Sequence, residues 1–155
     1  MVIQIGDKAP EFSLKDSNEQ NVSLSDFKGK RVIVFFYPKD NTPGCTKEAC
    51  NFKDNWEVFS KNQIIVIGIS KDNSNSHQKF IEKYNLPFIL LVDPIPCKVA
   101  TDYESYGLKK FMGKEYMGMI RNTFLIDAAG NIEKIYLKVK APIMADHIIA
   151  DLSLS

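Results

Sequence analysis

In the stretch Arg31-Val-Ile-Val-Phe-Phe-Tyr37, every residue after Arg31 is β-branched or aromatic, which predicts a strand covered on both faces. Residues 43–60 follow it and predict a helix, because their large apolar side chains recur three and four residues apart: Ala49, Phe52, Trp56 and Phe59. A strand that passes directly into a helix is a building unit of α/β folds. Ligands in such folds bind where a strand ends and the next helix begins.

The rest of the chain extends this unit into an α/β sandwich with a central mixed sheet flanked by helices. Alternating segments on either side of residues 16–19 predict an N-terminal β-hairpin. Residues 107–118 contain three glycines and are expected to form a loop. Without repeats or a linker, residues 1–155 are expected to form one domain. Further strands are expected at 64–69, 88–92, 122–126 and 132–139, and further helices up to Tyr84, over 97–106 and from Pro142 onward.

Composition excludes several classes of partner. The 155 residues are 45% hydrophobic and 25% charged, and their net charge is +1. Such a balance gives no electrostatic reason to expect binding to nucleic acid or to an acidic membrane surface. No basic region followed by an apolar stretch opens the chain, and the longest apolar runs have only the length of strands. We therefore expect a cytoplasmic protein.

Cys45 stands out among the three cysteines because of its predicted position. An odd number of cysteines in a reducing compartment does not predict a disulfide framework. Pro43 suits the first position of a helix, so Cys45 falls in the first turn. Unpaired N–H groups and the positive end of the helix dipole stabilise an anion there, and the thiolate is the nucleophilic form of cysteine.

Cys50 follows five residues later on the same predicted helix. An α-helix separates the Cα atoms of such residues by on the order of 8–9 Å, which exceeds the limit of ~7 Å for a disulfide. A bond between Cys45 and Cys50 therefore requires the first turns of the helix to unwind. An inert buried thiol and a metal ligand remain alternatives, although His77 and His147 are remote in sequence and expected at the surface. No C-x-x-C pair is present for a dithiol oxidoreductase, and no signature of a cysteine hydrolase is evident.

The segment Pro38-x-x-x-Thr42-x-x-Cys45 resembles the P-x-x-x-T/S-x-x-C signature of peroxiredoxins. The longer string Phe-Tyr-Pro-Lys-Asp-Asn-Thr-Pro-Gly-Cys-Thr-Lys-Glu-Ala-Cys, residues 36–50, is similar to the branch called bacterioferritin comigratory protein or peroxiredoxin Q. The resemblance covers nearly the whole chain and extends to four further segments: residues 6–12, 24–29, 111–118 and 121–127.

This resemblance implies a thioredoxin-like fold with an N-terminal hairpin, and neither a metal nor an organic prosthetic group. Cys45 corresponds to the peroxidatic thiol, and Cys50 to the resolving thiol that forms an intramolecular disulfide with it. Thr42, Arg121 and the backbone N–H of Cys45 correspond to the groups that bind and activate the peroxide, and Pro38 to a shield against water. The implied reaction is reduction of hydrogen peroxide and organic hydroperoxides, with thioredoxin or a similar dithiol as the reductant.

Several alternatives stay open from the sequence. Glu48 either orients Arg121 or is a solvated carboxylate. Cys97 is expected to be a spectator, with a resolving role as the weaker alternative. A non-enzymatic thiol redox sensor and a thioredoxin-fold metal chaperone are the competing functions. The resemblance implies a monomer, with a weak dimer as the alternative.

Overall fold

The computed structural model describes residues 3–155. Its central strand is β3 (Val32–Phe36), in which every side chain is buried. Strand β4 (Ile65–Ser70) pairs with β3 in parallel, and β8 (Thr123–Ile126) pairs with it antiparallel on the other side. The uninterrupted apolar sequence of β3 is thus explained by a strand with neighbours on both edges and cores on both faces.

Four more strands complete a seven-stranded mixed sheet of order β2-β1-β5-β4-β3-β8-β9. The predicted N-terminal hairpin is present and attaches antiparallel to β5. The strands are β1 (Ser13–Asp16), β2 (Asn21–Ser23), β5 (Ile89–Val92) and β9 (Ile132–Tyr136).

In residues 3–155, five α-helices flank the sheet, and the sheet separates two hydrophobic cores. The helices are α1 (Pro43–Asp54), α2 (Trp56–Lys61), α3 (Ser74–Tyr84), α4 (Lys98–Asp102) and α5 (Met144–Asp151). Alternate side chains of a strand point to opposite faces. Ile33 and Phe35 accordingly pack in a core with side chains of α1, α2, α3 and α5, namely Phe52, Phe59, Phe80 and Ile148. Val32 and Val34 pack in the other core with α4 and with the N-terminal segment.

The prediction of a loop over residues 107–118 was wrong. These residues form a separate two-stranded hairpin of β6 (Tyr106–Phe111) and β7 (Lys114–Met119). Gly107 and Gly118 lie opposite each other in the register, and Gly113 has a φ of +79° in the connecting turn. The glycines therefore mark a cross-strand pair and a tight turn, which is the role of glycine that the loop prediction overlooked.

Three predicted helices have different bounds in the structure. The one expected from Pro142 onward begins at Met144, because Pro142 lies in a short 3-10 helix over Ala141–Ile143. The helix expected over residues 43–60 is divided at Asn55, whose side chain donates to the Asn51 carbonyl and to Asp146 of α5. The helix expected over 97–106 ends at Asp102, and Tyr106 already belongs to β6. Within residues 3–155, no helix is both long and apolar enough to cross a membrane.

Candidate active site

The structure places Cys45 in the first turn of α1, as its sequence position predicts. Thr42 precedes the helix in an extended conformation, and Pro43 occupies the first helical position. Proline suits this position because its missing N–H would have no partner there. The Cys45 side chain is 2% exposed and packs in the core formed by α1, α2, α3 and α5. The thiol is therefore both near a helix N-terminus and largely shielded from water.

Arg121 contacts the Cys45 sulfur although it lies 76 positions later in the chain. Its Nη2 donates to Sγ at 3.2 Å, and its Nη1 donates to Oε1 of Glu48 at 3.0 Å. A side chain at Gly44 would crowd this contact, since a Cβ built there would lie 3.1 Å from Nη2. The planar guanidinium thus bridges a sulfur and a carboxylate that stand one turn apart on α1.

Burial and the neighbouring charges have opposite effects on the pKa values of Arg121 and Glu48. Burial by itself would lower the pKa of Arg121, but the charges of Cys45 and Glu48 outweigh it and raise that pKa. Glu48 is fully buried, and burial raises its pKa to about 7 even though Arg121 opposes the shift. Among the described residues, Oε2 of Glu48 has no hydrogen-bond partner. Glu48 is therefore a buried partner of Arg121 and not the solvated carboxylate that the sequence left open.

Cys50 lies farther along α1, where it is partly buried and is not part of a disulfide. Burial raises the pKa of its thiol, and the negative charge of Asp54 adds to the effect. Cys45 and Cys50 are free thiols on one continuous helix, the arrangement that the sequence predicts for the reduced protein. A disulfide between them requires the helix to unwind.

Thr42 and Pro38 lie in the loop that precedes α1. The Thr42 hydroxyl donates to the Lys39 carbonyl at 3.0 Å. Its single proton is thereby directed away from the sulfur, and its lone pairs remain able to accept. Pro38 is half-buried and directly follows the buried Tyr37.

Cys97 lies on the opposite face of the sheet from Cys45. It belongs to the core that contains Val32, Val34 and α4. Its Sγ lies 3.6 Å from the Asp93 carbonyl, and burial, together with the charge of Asp93, raises the pKa of its thiol. The sheet thus separates Cys97 from the other two thiols.

Two polar residues near the site were missed or misplaced by the sequence analysis. His77 was expected at the surface but is fully buried on α3 and bonded to Asp40. Its three-residue spacing from the buried Phe80 was the signal that could have placed it on the inner face of the helix. His147 is exposed, as expected.

The other residue is Lys109 of β6, whose Nζ donates to the Met119 carbonyl at 2.9 Å. Burial lowers the pKa of Lys109, the charge of Arg121 lowers it further, and the charge of Cys45 opposes both. These charge effects place Lys109 close to the site, and because the sequence analysis assigned residues 107–118 to a loop, nothing in it indicated this position.

Comparison with known proteins gives a consistent result. A family model described as the AhpC/TSA family matches residues 5–135. The "Peroxiredoxin Bcp" of Bacillus subtilis (strain 168) is 50% identical over 148 residues, which cover 96% of this chain and 92% of the relative.

Two solved structures are similar to the whole fold. PrxQ from Xylella fastidiosa superposes with a TM-score of 0.91 at 28% identity, covering 99% of this chain and 97% of that one. The bacterioferritin comigratory protein of Xanthomonas campestris superposes with a TM-score of 0.85 at 30% identity, covering 92% and 90%. The predicted thioredoxin-like α/β fold is thereby confirmed.

Proposed function

The chain belongs to the AhpC/TSA family, in its Bcp (PrxQ) peroxiredoxin branch, and on that premise we propose that Cys45 is the peroxidatic thiol and Cys50 the resolving thiol. The protein is a thiol-dependent peroxidase that reduces hydroperoxides and is regenerated by a thioredoxin-type dithiol. The single observation that supports the residue assignment best is the hydrogen bond from Arg121 to Cys45.

The first step is attack on the peroxide. A Cys45 thiolate is stabilised by the fixed charge of Arg121 and by the N-terminal end of α1. It attacks one peroxide oxygen, the O–O bond breaks, and the leaving oxygen takes up a proton to give water or an alcohol. The sulfur is left as a sulfenic acid. Arg121 is placed to stabilise the charge that develops on the peroxide oxygens, and Thr42 and the Cys45 N–H to hold the peroxide.

The second step is resolution by Cys50. Its sulfur attacks the Cys45 sulfur, the S–S bond forms, and the hydroxyl leaves as water with the Cys50 proton. Burial is the main cause of the raised pKa of the Cys50 thiol. Because unwinding of α1 exposes this thiol, its pKa then moves back toward the ordinary value and the thiolate becomes more available. A dithiol reductant next supplies two electrons and two protons, and both thiols are restored.

The proposal extends to the domain organisation, the oligomeric state, the cellular location and the substrates of the protein. We infer a single domain over residues 1–155, a monomer in the cytoplasm, and activity with both hydrogen peroxide and organic hydroperoxides. Pro38, half-buried in the loop between β3 and α1, is assigned the exclusion of water. The non-enzymatic alternatives, a redox sensor and a metal chaperone, are not favoured, because the relatives are peroxiredoxins.

Peroxide consumption coupled to thioredoxin, thioredoxin reductase and NADPH tests this function. We expect many turnovers per protein with hydrogen peroxide and with tert-butyl hydroperoxide. A sensor would share the first oxidation but would stop after one equivalent of peroxide per chain. One-equivalent behaviour in the presence of competent thioredoxin would therefore contradict the assignment as a peroxidase.

A further inference from the structure

The loop between β3 and α1, residues 38–42, is bound to a buried polar network that the reaction does not use. The Asp40 side chain is buried, and its carboxyl group makes three hydrogen bonds. The Tyr37 hydroxyl donates to it at 2.6 Å and the Ser76 hydroxyl at 2.8 Å, and Nδ1 of His77 lies 2.7 Å from its Oδ2. Ser76 and His77 belong to α3, so this helix holds the loop from inside the protein.

His77 uses both of its ring nitrogens in this network. Nε2 lies 2.9 Å from the carbonyl of Leu91 in β5, and Nδ1 faces Asp40. A carbonyl only accepts, so Nε2 carries a proton, and the contact with Asp40 needs a second proton on Nδ1 or on the carboxyl. Such a charge-assisted or proton-sharing contact inside a protein is costly to break from one side. The Asp40–His77 pair therefore ties the loop to α3 and, through Leu91, to the sheet.

Two more contacts hold the same loop. The backbone N–H of Asp40 donates to Oδ2 of Asp72 at 2.8 Å. Oδ1 of Asn41 accepts from Lys83 at 3.3 Å and from Tyr84 at 3.2 Å, near the end of α3. The loop is thus fixed along the length of α3 before it enters α1.

Within residues 3–155, the first turn of α1 has fewer attachments than this loop, and its main one is the hydrogen bond from Arg121 to the Cys45 sulfur. Thr42 makes no side-chain capping bond, and Pro43 has no N–H to donate. This turn is also the one that a Cys45–Cys50 disulfide must unwind. A firmly held segment therefore borders directly on a segment that has to rearrange in every catalytic cycle.

We propose that the Asp40–His77 pair positions the loop that carries Pro38 and Thr42, and that it confines the unwinding on disulfide formation to α1. The inference rests on the proposed roles of Cys45 and Cys50. Asp40 and His77 are positioning residues, since they act through the loop and not on the peroxide. When the pair is intact, the peroxide pocket is preformed in the reduced protein and re-forms after each reduction.

Loss of the pair should move two rates in opposite directions. A mobile loop leaves the pocket incomplete for part of the time, so Cys45 reacts more slowly with peroxide. The same mobility helps α1 to unwind, so the sulfenic acid is resolved faster and is over-oxidised less readily.

The test compares His77→Gln with Ile132→Ala, a cavity variant in the core on the other face of the sheet. In His77→Gln we expect oxidation of Cys45 in stopped flow to slow by about tenfold, and over-oxidation to need more peroxide than in the wild type. Ile132→Ala should lower the thermal midpoint but leave both quantities within about twofold. Asp40→Asn should lie close to wild type, because its amide can accept from Tyr37 and donate to an unprotonated Nδ1.

Hydrogen exchange supplies an independent readout. In the wild type, the Asp40 amide should stay protected after oxidation while amides in the first turn of α1 lose protection. In His77→Gln, the Asp40 amide should exchange faster in both redox states. Should His77→Gln not fold, Asp40→Ala against Asp40→Asn gives the same comparison.

A protected Asp40 amide and an unchanged oxidation rate in His77→Gln would overturn the inference. The inference would also be overturned if Ile132→Ala changed the oxidation rate and the over-oxidation as much as His77→Gln does. The pair would then contribute only to the overall stability of the protein. A wild-type protein that fails to consume peroxide would instead overturn the proposed function, and exchange in the reduced protein would still report on the loop.

Discussion

The N-terminal ends of α1 and α4 each hold a buried cysteine, but only one of the two environments suits a nucleophile. Cys45 is 2% exposed and Cys97 is 0% exposed, so burial does not distinguish them. Cys45 stands in the first turn of a twelve-residue helix, whereas Cys97 is the N-cap residue of a helix of only five residues. Proximity to a helix start is therefore shared as well.

The charged partner makes the difference. Cys45 accepts a hydrogen bond from the guanidinium of Arg121. Cys97 instead faces the Asp93 carbonyl, and its pKa is raised by burial and by the negative charge of Asp93. A cation favours the thiolate and a carboxylate disfavours it. These two buried thiols at helix starts therefore differ in that a cation donates a hydrogen bond to the Cys45 sulfur, whereas burial and Asp93 outweigh the charge of Lys71 at Cys97.

The largest expected effect is that of removing one thiol or the other. Cys45→Ser should abolish peroxide consumption, because Cys45 is the cysteine among residues 3–155 whose sulfur accepts a hydrogen bond from a cation, while circular dichroism should show an unchanged fold. Cys97→Ser is the matched control and should retain the rate of the wild type. If Cys97→Ser lost activity as completely as Cys45→Ser, the conclusion that only the environment of Cys45 suits a nucleophile would be wrong.

The next effect concerns the partner of the oxidised Cys45. One equivalent of peroxide should give a Cys45–Cys50 disulfide in peptide mapping, and Cys97 should stay open to alkylation in the denatured protein. With Cys50→Ser the sulfenic acid should persist, over-oxidise more readily and depend on an external thiol for turnover. A peptide joining Cys45 to Cys97 would contradict the separation of these thiols by the sheet. The assignment of Cys45 would survive that result.

A smaller effect is expected when Arg121 is replaced by lysine, which keeps the positive charge but lacks the planar guanidinium group. Arg121→Lys cannot bridge Cys45 and Glu48 with two parallel donors. The second-order rate constant with peroxide should fall by about tenfold, or 1.4 kcal/mol of transition-state stabilisation, measured in stopped flow. Arg31→Lys is the control, because Arg31 forms a bidentate contact with Glu133 away from the site. Equal rates for wild type and Arg121→Lys would reduce Arg121 to a structural residue.

The last test concerns the stability of the folded protein and not its activity, and it uses the pH dependence of the free energy of unfolding. The pKa of Glu48 is raised from 4.5 to about 7 in the folded protein. The folded protein thus holds this proton more tightly than the unfolded chain does, so the free energy of unfolding should fall as the pH rises from 4.5 to 7. The loss is up to about 3 kcal/mol by linkage.

Glu48→Gln should abolish this part of the slope, whatever constant offset it adds. Urea unfolding of both proteins at several pH values measures the difference. Parallel curves between pH 4.5 and 7 would show that Glu48 does not titrate there.

Much of the fold followed from local patterns in the chain. The hydrophobic run of β3, the spacing of Ala49 and Phe52, and Pro43 at a helix start depend on neighbours a few residues apart. The same local reasoning failed for the β6–β7 hairpin and for His77. Glycine occurs in loops and in tight hairpins, so three glycines did not distinguish the two. Burial of a histidine depends on a hydrogen-bond partner such as Asp40, which is far away in the sequence.

The sequence by itself determined the order along the chain of the strands that form the central sheet, the position of Cys45 at the start of α1, and its spacing from Cys50 along one helix. Only the tertiary structure decided which charges surround each thiol. Antiparallel pairing of β3 with β8 brings Arg121 to the end of β3 where α1 begins, and the sheet places Cys97 beyond its reach. Such contacts join residues far apart in the chain, and they depend on which strands pair, a property that no local pattern encodes.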